Sequence, residues 1–502
     1  MHSNIMRAAT LGLAASLADP VAAFWRMSCP GRTLSERADP IVFPGVVAPH
    51  VHTISGSNGF GFTENYDQAH GGSCTSCPIK QDMSNYWTPK LYYQAENGSF
   101  IDVPQAGDGL GIYGGMTVYY QQRPSYVGEQ LHAYPKDFRM VAGDPFKRDF
   151  TGDFAARAVS FACLDYNGPP TAETNKMPDR NCPNGLRAQV YFPSCWDGVR
   201  LDTPDHKSHM SYYNDTSYDN GHCPPSHPKH MISIFYEIIY QTNLFADKWH
   251  GSGQPFVFAQ GDATGYGFHG DFLNGWDVAT LQAATNDCND GGGDMTKCSH
   301  FNFYTPDECR ACTVPPSVDE PITGVLDKLP GCNPVTHGPA PAVPVANCPV
   351  TPIGKPKTYY TDLTTSLGYK YIGCGSDNVA ARTLTQDFTW SPDMTPAMCV
   401  KYCKGKGYAY AGLEYADQCY CGSTLPADRA PVAGVQGNCF SACAGDKAQY
   451  CGGGSALSLY QACPAGGSCA NSEYGAKSKS KNKGRSERHL LEHRHAVVHG
   501  SH

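Results

Sequence analysis

Twenty-three cysteines in 502 residues constrain this chain more than any other feature. Eight of them, Cys374, Cys399, Cys403, Cys419, Cys421, Cys439, Cys443 and Cys451, fall in one short stretch near the C-terminal end. A segment that short buries too little apolar surface to be stable on its core alone, so covalent cross-links must supply the rest. Four bridges among eight cysteines allow on the order of a hundred connectivities, and spacing does not choose among them. Disulfides persist in an oxidising compartment. The N-terminus points the same way. Arg7 is followed by an apolar run from Ala8 to about Ala18 and by the small residues Val21-Ala22-Ala23, the layout of a secretory signal peptide. That run is too short to span a bilayer, and no later segment is long enough. An extracellular, secreted protein without a membrane span is therefore expected. The odd cysteine count leaves a thiol unpaired or bonded to another molecule. Asn97-Gly-Ser99 and Asn214-Asp-Thr216 are sequons for N-glycosylation.

The formal net charge is −8, and the tail Gly475–His502 is itself basic, with seven Lys/Arg against Glu487 and Glu492. The rest of the chain is thus more acidic than the whole, which argues against nucleic acid as a partner. Trp87–Tyr93, Met116–Tyr120, Arg187–Phe192 and Ile232–Tyr240 are rich in β-branched and aromatic residues and are separated by Gly, Pro and Asn clusters. No regular alternation of strand and helix accompanies them, so a parallel doubly wound sheet is not expected. The pattern predicts a mainly β protein. Residues 24–335 form an antiparallel β-sandwich or jelly-roll-like domain with long loops, and residues 368–462 a small disulfide-rich α+β module. Residues 1–23 are the signal peptide, 336–367 a Pro-rich semi-rigid linker, and 463–502 a basic, His-rich disordered tail.

Within the large domain, Gly261–Asp277 interleaves five glycines with aromatics, one histidine and three aspartates. Pro255–Gln260 before it reads as a buried strand, and Asp277 as the N-cap of a following helix. His269 and Asp271 are accordingly expected on a loop between two packed elements. Pro49–Phe60, with His50 and His52, is read as a second loop, and His206 with His209 as a third. Histidines beside a carboxylate suit general acid–base chemistry. The same side chains suit metal ligation, because His-x-His on a strand places both imidazoles on one face. A third reading has each histidine doing no more than satisfying a backbone carbonyl. All three stay open. The candidate catalytic residues are His50, His52, His209, His269 and Asp271, expected to share one cleft. The sequence requires no cofactor, and a metal at this histidine cluster is compatible with it.

Other motifs carry less. Gly265-Tyr-Gly-Phe-His-Gly270 fits a dinucleotide-binding pattern but lacks the surrounding βαβ unit and a distal acidic ribose ligand. Gly-x-Ser-x-Gly does not occur, which removes the common hydrolase nucleophile elbow. Cys74-x-x-Cys77 and Cys309-x-x-Cys312 are expected in disulfides rather than around zinc. Trp87, Trp196 and Trp276 are read either as core or as sugar-stacking platforms, Trp196 as core.

Arg382-Thr-Leu384, Met394–Cys399, Tyr402-Cys403, Tyr408–Tyr415, Cys419-Tyr-Cys-Gly422, Cys451-Gly-Gly453 and Ala456–Tyr460 together resemble the WSC domain, a four-disulfide module of fungal cell-wall proteins and extracellular enzymes. The chain departs from that pattern at Gly375, where an aromatic is usual. The resemblance implies carbohydrate binding, with Tyr408, Tyr410, Tyr415 and Tyr420 as candidate contacts and cell-wall polysaccharide (β-glucan, chitin or xylan) as the partner. The larger domain resembles a family of secreted fungal domains of unknown function that often precede WSC modules. That resemblance is carried by Arg37–Ile41, Pro49–His52 with Gly56-Ser-Asn58, Phe192–Gly198, His206–His209 and Gly261–Phe272. The expectation is a protein that binds glycan through its small module and recognises or processes carbohydrate with its large one, as a hydrolase or lyase if it is an enzyme. The alternative is a non-enzymatic structural or adhesion protein of the cell wall.

Overall fold

Tyrosine, valine and isoleucine at alternate positions draw the first half of the chain into two facing antiparallel sheets. The computed structural model describes residues 23–106, 115–169, 171–345, 348–432, 435–467 and 469–474. The expected signal peptide, apart from Ala23, and the tail from Gly475 onward lie outside the described residues. The first sheet runs β1 (Ala23–Ser28), β7 (Met116–Gln122), β14 (Ser233–Tyr240), β10 (Leu186–Tyr191) and β9 (Val159–Cys163). The second runs β2 (Leu34–Glu36), β3 (His52–Gly56), β4 (Asn85–Pro89), β16 (His269–Leu273) and β8 (Arg139–Gly143). Two smaller sheets flank them: β12 (Met210–Ser211), β11 (Cys195–Trp196) and β13 (Lys229–His230); and β15 (Phe256–Phe258), β5 (Leu91–Gln94), β6 (Phe100–Asp102) and β17 (Val325–Leu326). The small module has one sheet, in the order β18 (Tyr369–Ser376), β22 (Ala456–Ala462), β20 (Tyr410–Glu414), β21 (Gln418–Gly422) and β19 (Asp387–Trp390).

The expected β-sandwich is therefore present, and the contact between its two sheets is close. A methyl placed on Gly270 of β16 would lie 2.9–3.1 Å from Val190, Tyr236 and Phe192 of the opposite layer. Between the layers lies an aromatic core that includes Trp25, Tyr86, Tyr120, Tyr236, Phe272 and Trp276. Three of its polar ends form one chain, whereas Trp25 Nε1 has no hydrogen-bond partner. Trp276 Nε1 donates to Tyr120 Oη (2.8 Å), which lies 2.8 Å from Tyr86 Oη, and Tyr86 donates to Asp82. Trp87 and Trp276 are fully buried, so neither is a sugar platform, and Trp196 packs partly buried against this core.

Trp87–Tyr93, expected as one strand, is split. β4 ends at Pro89, which has no amide hydrogen for a continuing ladder, and the chain turns at Lys90 into β5 in another sheet. The helix after Gly261–Asp277 forms as expected at Val278–Asp287, with Asp277 accepting from the Thr280 amide. Asn97 and Asn214 are both exposed.

Eleven disulfides account for twenty-two cysteines. In the small module they are Cys374–Cys439, Cys399–Cys419, Cys403–Cys421 and Cys443–Cys451. Two of these bolt the helix Pro396–Gly405 onto β21, because Cys399 and Cys403 are one turn apart and share a face. Cys74 pairs with Cys312 and Cys77 with Cys29. The leftover thiol is Cys309, which is buried.

The Pro-rich stretch after the large domain runs along it. Cys332–Cys348 closes a loop there. The Arg37 guanidinium grips both Glu320 carboxylate oxygens (2.5 and 2.9 Å) and donates to Thr351 Oγ1 (2.5 Å), and the Gly354 amide donates to Ser317 O (2.7 Å).

Two outcomes follow from this packing. Gly270→Val overpacks the inter-sheet contact, at a cost of about 1–3 kcal/mol, and calorimetry should show Tm lowered by several degrees. Glu64 is a buried carboxyl whose oxygens have no hydrogen-bond partner, and burial raises its pKa well above the ordinary value. The folded form therefore holds its proton more tightly than the unfolded form, and stability falls as pH rises above the unfolded value of about 4.5. Glu64→Gln removes that penalty. Its melting temperature should exceed the wild type's by a margin that grows from pH 4.5 to pH 7.

Candidate functional site

β3 and β16 both begin with a histidine, and β4 lies between them. His52 pairs with Pro89 of β4, and Asp271 of β16 pairs with Trp87. Two residues back along that register His269 stands opposite Pro89, so His52 and His269 rise from one face of the sheet on either side of a proline. The sequence placed both histidines in loops; each instead opens a strand, because the residues that follow it alternate into the two faces of the sheet. His50 enters from the turn before β3. The three rings converge: His50 Nε2 is 3.1 Å and His52 Nε2 3.4 Å from His269 Nε2. One ring nitrogen from each lies within 4.8 Å of the other two, and all three side chains are buried.

The outer nitrogens determine the tautomers. His52 Nδ1 faces Ala38 O at 3.1 Å, and His269 Nδ1 faces Gly267 O at 2.9 Å. Carbonyls only accept, so both Nδ1 atoms carry the hydrogen and donate. Each neutral ring then presents a bare Nε2 lone pair inward. Burial, reinforced by the neighbouring imidazoles, holds His50 and His52 well below the usual histidine range, and burial brings His269 down to about 4. Three neutral imidazoles are thus aimed at one point.

The loop that precedes β16 is held from below. Asp262 accepts from the amides of Thr264 (2.8 Å), Gly265 (3.1 Å) and Gly267 (2.7 Å). Beside it lies the Arg148 guanidinium, at 3.5 Å, with both side chains completely buried. Arg148 also donates to Thr336 Oγ1 (2.7 Å), Gln260 O (3.1 Å) and Pro145 O (2.8 Å). Gly265 sits at φ +92° to make the turn, and a methyl on Gly267 would stand 2.6 Å from the guanidinium. The glycines of this stretch are there for these contacts. Against His50 and His269 opens a cavity of about 240 Å³, walled by Phe43, Phe146 and Val343 with Asp39, Gln260 and Asn333 as its polar residues. Cys332, Asn333, Pro334 and residues 342–345 form one side of it.

Asp271 stands two residues past His269 on the same face. Burial, then the Asp39 carboxylate, push it well above the ordinary carboxylate range, and its Oδ2 has no hydrogen-bond partner. Asp39 accepts from the amides of Ile41 and Val42 and is raised to about 6, chiefly by burial. His209 lies elsewhere. Its Nε2–H donates to Arg139 O (2.9 Å), and its Nδ1 is 3.1 Å from Thr203 Oγ1. Arg139 pairs with Leu273 at the far end of β16, about 13 Å along the strand from His269 at 3.3–3.4 Å per residue. His206 contacts Asp202 (2.7 Å). The structure thus brings together His50, His52 and His269, with Asp39 lining the same cavity as His50 and His269, carries Asp271 two residues further along the same strand, and leaves His209 out. Asp39, Arg148 and Asp262 escaped the sequence reading. Asp39 lay inside the Arg37–Ile41 run, but nothing local marks a buried aspartate as belonging to a distant histidine.

On the small module, the face of the sheet turned away from the helix carries an open aromatic strip. Phe388 and Trp390, two apart on edge strand β19, are 47% and 64% exposed. Phe388 packs against Tyr420 (ring centroids 4.8 Å), over which the Arg382 guanidinium lies at 4.7 Å. Arg382 is held by Asp377 (2.5 Å) and Glu414 (2.6 Å). Tyr420 is buried and forms the floor of this strip, while Tyr415 stands exposed at the β20–β21 turn. Tyr408 and Tyr410 are half-buried, and the Tyr410 hydroxyl accepts from Gln461 (3.0 Å).

Residues 39–276 match the domain of unknown function DUF1996, and residues 371–453 match the WSC domain. The chain joins a DUF1996 domain to a WSC domain. Similar proteins cover the WSC part. A WSC domain-containing protein of Arthroderma benhamiae is 38% identical over 94 residues, 18% of this chain and 12% of that protein. A putative fungistatic metabolite of Chaetomium globosum is 37% identical over 94 residues, 18% of this chain and 41% of that protein. Kremen protein 2 of Mus musculus is 34% identical over 102 residues, 20% of this chain and 22% of that protein. The chain therefore spans well under half the length of each of these relatives. WSC domains are typical of extracellular and cell-surface proteins and fit a cell-wall-associated, carbohydrate-binding role; no described helix is long and apolar enough to cross a membrane.

His50, His269 and the Arg148–Asp262 pair all lie in or at the edge of the DUF1996 match. Asp262→Ala leaves the buried guanidinium uncompensated, which costs about 3–5 kcal/mol. Chemical denaturation should show that loss. Lys176→Ala, which breaks an exposed pair with Asp179, should change stability by no more than about 1 kcal/mol.

Proposed function

We propose that this is a secreted protein that attaches to cell-wall polysaccharide through its WSC module and recognises or processes glycan at the histidine-lined cavity of its DUF1996 domain. The observation that carries the reading is the open strip Phe388–Trp390 with Tyr420 and Arg382 beside it. Pyranose C–H faces pack on exposed rings, and an arginine already fixed by two carboxylates offers donors to sugar hydroxyls at little entropic cost. Four disulfides hold that strip rigid. Tyr415 extends the candidate surface at the neighbouring turn. Attachment of one domain to an insoluble polymer raises the local concentration of the other at the same surface. The polar residues lining the cavity, among them Asp39, Gln260 and Asn333, suit hydroxyl-bearing ligands.

Sedimentation with insoluble β-1,3-glucan, chitin and xylan tests this. Retention on one of them is expected, and Phe388→Ala with Trp390→Ala should weaken it about tenfold or more, since stacked aromatics dominate such contacts. Retention of the double variant equal to wild type, or no retention of wild type on any polymer, would sink the reading. Soluble sugars released from the retained polymer, measured with and without the protein, separate processing from recognition.

A further inference from the structure

We infer that His50, His52 and His269 form a binding site for one divalent late first-row transition ion, and that Zn²⁺ is the ion the geometry fits. This does not depend on glycan binding by the WSC module. The argument starts from protons. His52 and His269 both spend their ring hydrogen on a backbone carbonyl, so their Nε2 lone pairs face one another at 3.4 Å with no hydrogen between them. His50 Nε2 points at the same His269 nitrogen from 3.1 Å and can fill only one of these gaps with a hydrogen. Lone pairs pressed together among buried side chains repel, and a cation placed among them turns that repulsion into three bonds.

The spacing agrees. Tetrahedral Zn²⁺ with Zn–N of about 2.0–2.1 Å holds its nitrogen ligands about 3.3–3.4 Å apart, against 3.1 and 3.4 Å here for the two pairs that include His269, with all three nitrogens within 4.8 Å of one another. The surroundings agree as well. Metal-bound histidines ordinarily donate their second ring hydrogen to a carbonyl or carboxylate, which fixes the tautomer, and the Ala38 and Gly267 carbonyls already accept those hydrogens. The Gly267 residue is itself held by the Asp262 cradle. The donor set selects the class. Imidazole nitrogen suits zinc, copper, nickel and iron, whereas Mg²⁺ and Ca²⁺ need oxygen ligands. His50 and His269 border the cavity, so a ligand entering there reaches the open fourth position that a three-histidine ion keeps. The other cluster of metal-ligating type among the described residues, Cys399, Cys403 and Cys419, has its sulfurs in disulfides.

The test uses the full-length secreted chain, stripped with a chelator and titrated with Zn²⁺ or Co²⁺ alone. The basic tail carries five histidines of its own, so the readout is the difference between proteins that share it. Wild type is expected to hold about one tight equivalent more than a His52→Ala, His269→Ala double variant. Loss of a group that merely orients a ligand costs about 10–100-fold, so each single variant should weaken Zn²⁺ binding by at least about 100-fold. His209→Ala, a buried histidine outside the cluster, should keep the full equivalent, and excess Mg²⁺ should not compete. The Co²⁺ form of wild type should show the intense visible bands of a four- or five-coordinate nitrogen site. A double variant that binds as much tight metal as wild type overturns the inference. If the variants are not secreted, the wild-type Co²⁺ spectrum decides: weak octahedral bands, or no tight equivalent at all, also overturn it.

Discussion

The buried Arg148–Asp262 pair is the tie on which the large domain's site depends. Neither side chain has an exposed atom, and ions so placed are tolerated only when every remaining hydrogen-bonding position is used. The two groups meet that condition by spreading their bonds over the chain. The carboxylate gathers the amides of residues 264, 265 and 267, and the guanidinium gathers the carbonyls of residues 145 and 260 and the hydroxyl of Thr336. One electrostatic requirement thereby fixes the turn before β16, the turn after β8 and the start of the Pro-rich stretch. The Gly267 carbonyl that orients His269 is a product of that arrangement.

The two domains solve the problem of rigidity differently, and their candidate sites differ accordingly. The large one has enough apolar surface for two stacked sheets. Its histidines project from the outer face of the second sheet and are then covered by side chains from residues 39–50 and 332–345. The result is a buried pocket in which neutral imidazoles are favoured. The WSC module is too small to roof anything. Its helix and four disulfides occupy one face of its sheet and leave edge strand β19 uncovered, so its rings remain available to a flat, hydrated polymer.

Much of this was legible in residue order. Alternating aromatic and β-branched runs announce antiparallel strands because a strand's side chains alternate faces whatever it pairs with. Asp277 announces a helix start because capping is a local bond. Spacing around the WSC cysteines, the glycine-rich stretch and His50-Val-His52 all stood out for reasons that need no neighbour. Trp87–Tyr93 misled because a run of strand-forming residues does not say where a sheet ends. His269 and Asp271 misled because glycines on both sides suggest a loop, whereas here they permit close packing: Gly270 admits the opposite sheet and Gly267 admits a guanidinium. Phe388 and Trp390 were passed over because an edge strand has the same alternation as a buried one.

Tertiary structure alone decided which histidines belong together. His50, His52, His209 and His269 sit in similar local sequence, and each could satisfy a carbonyl or face a partner. Register separates them: two strands begin with histidine on either side of Pro89, while His209 bonds Arg139 of β8, the ladder partner of the far end of β16. Such pairings are set by hydrogen-bond ladders, which here bring together histidines more than two hundred residues apart in the chain. Local sequence determines what each side chain can donate, accept or bury, and only the ladder determines which lone pairs it will meet.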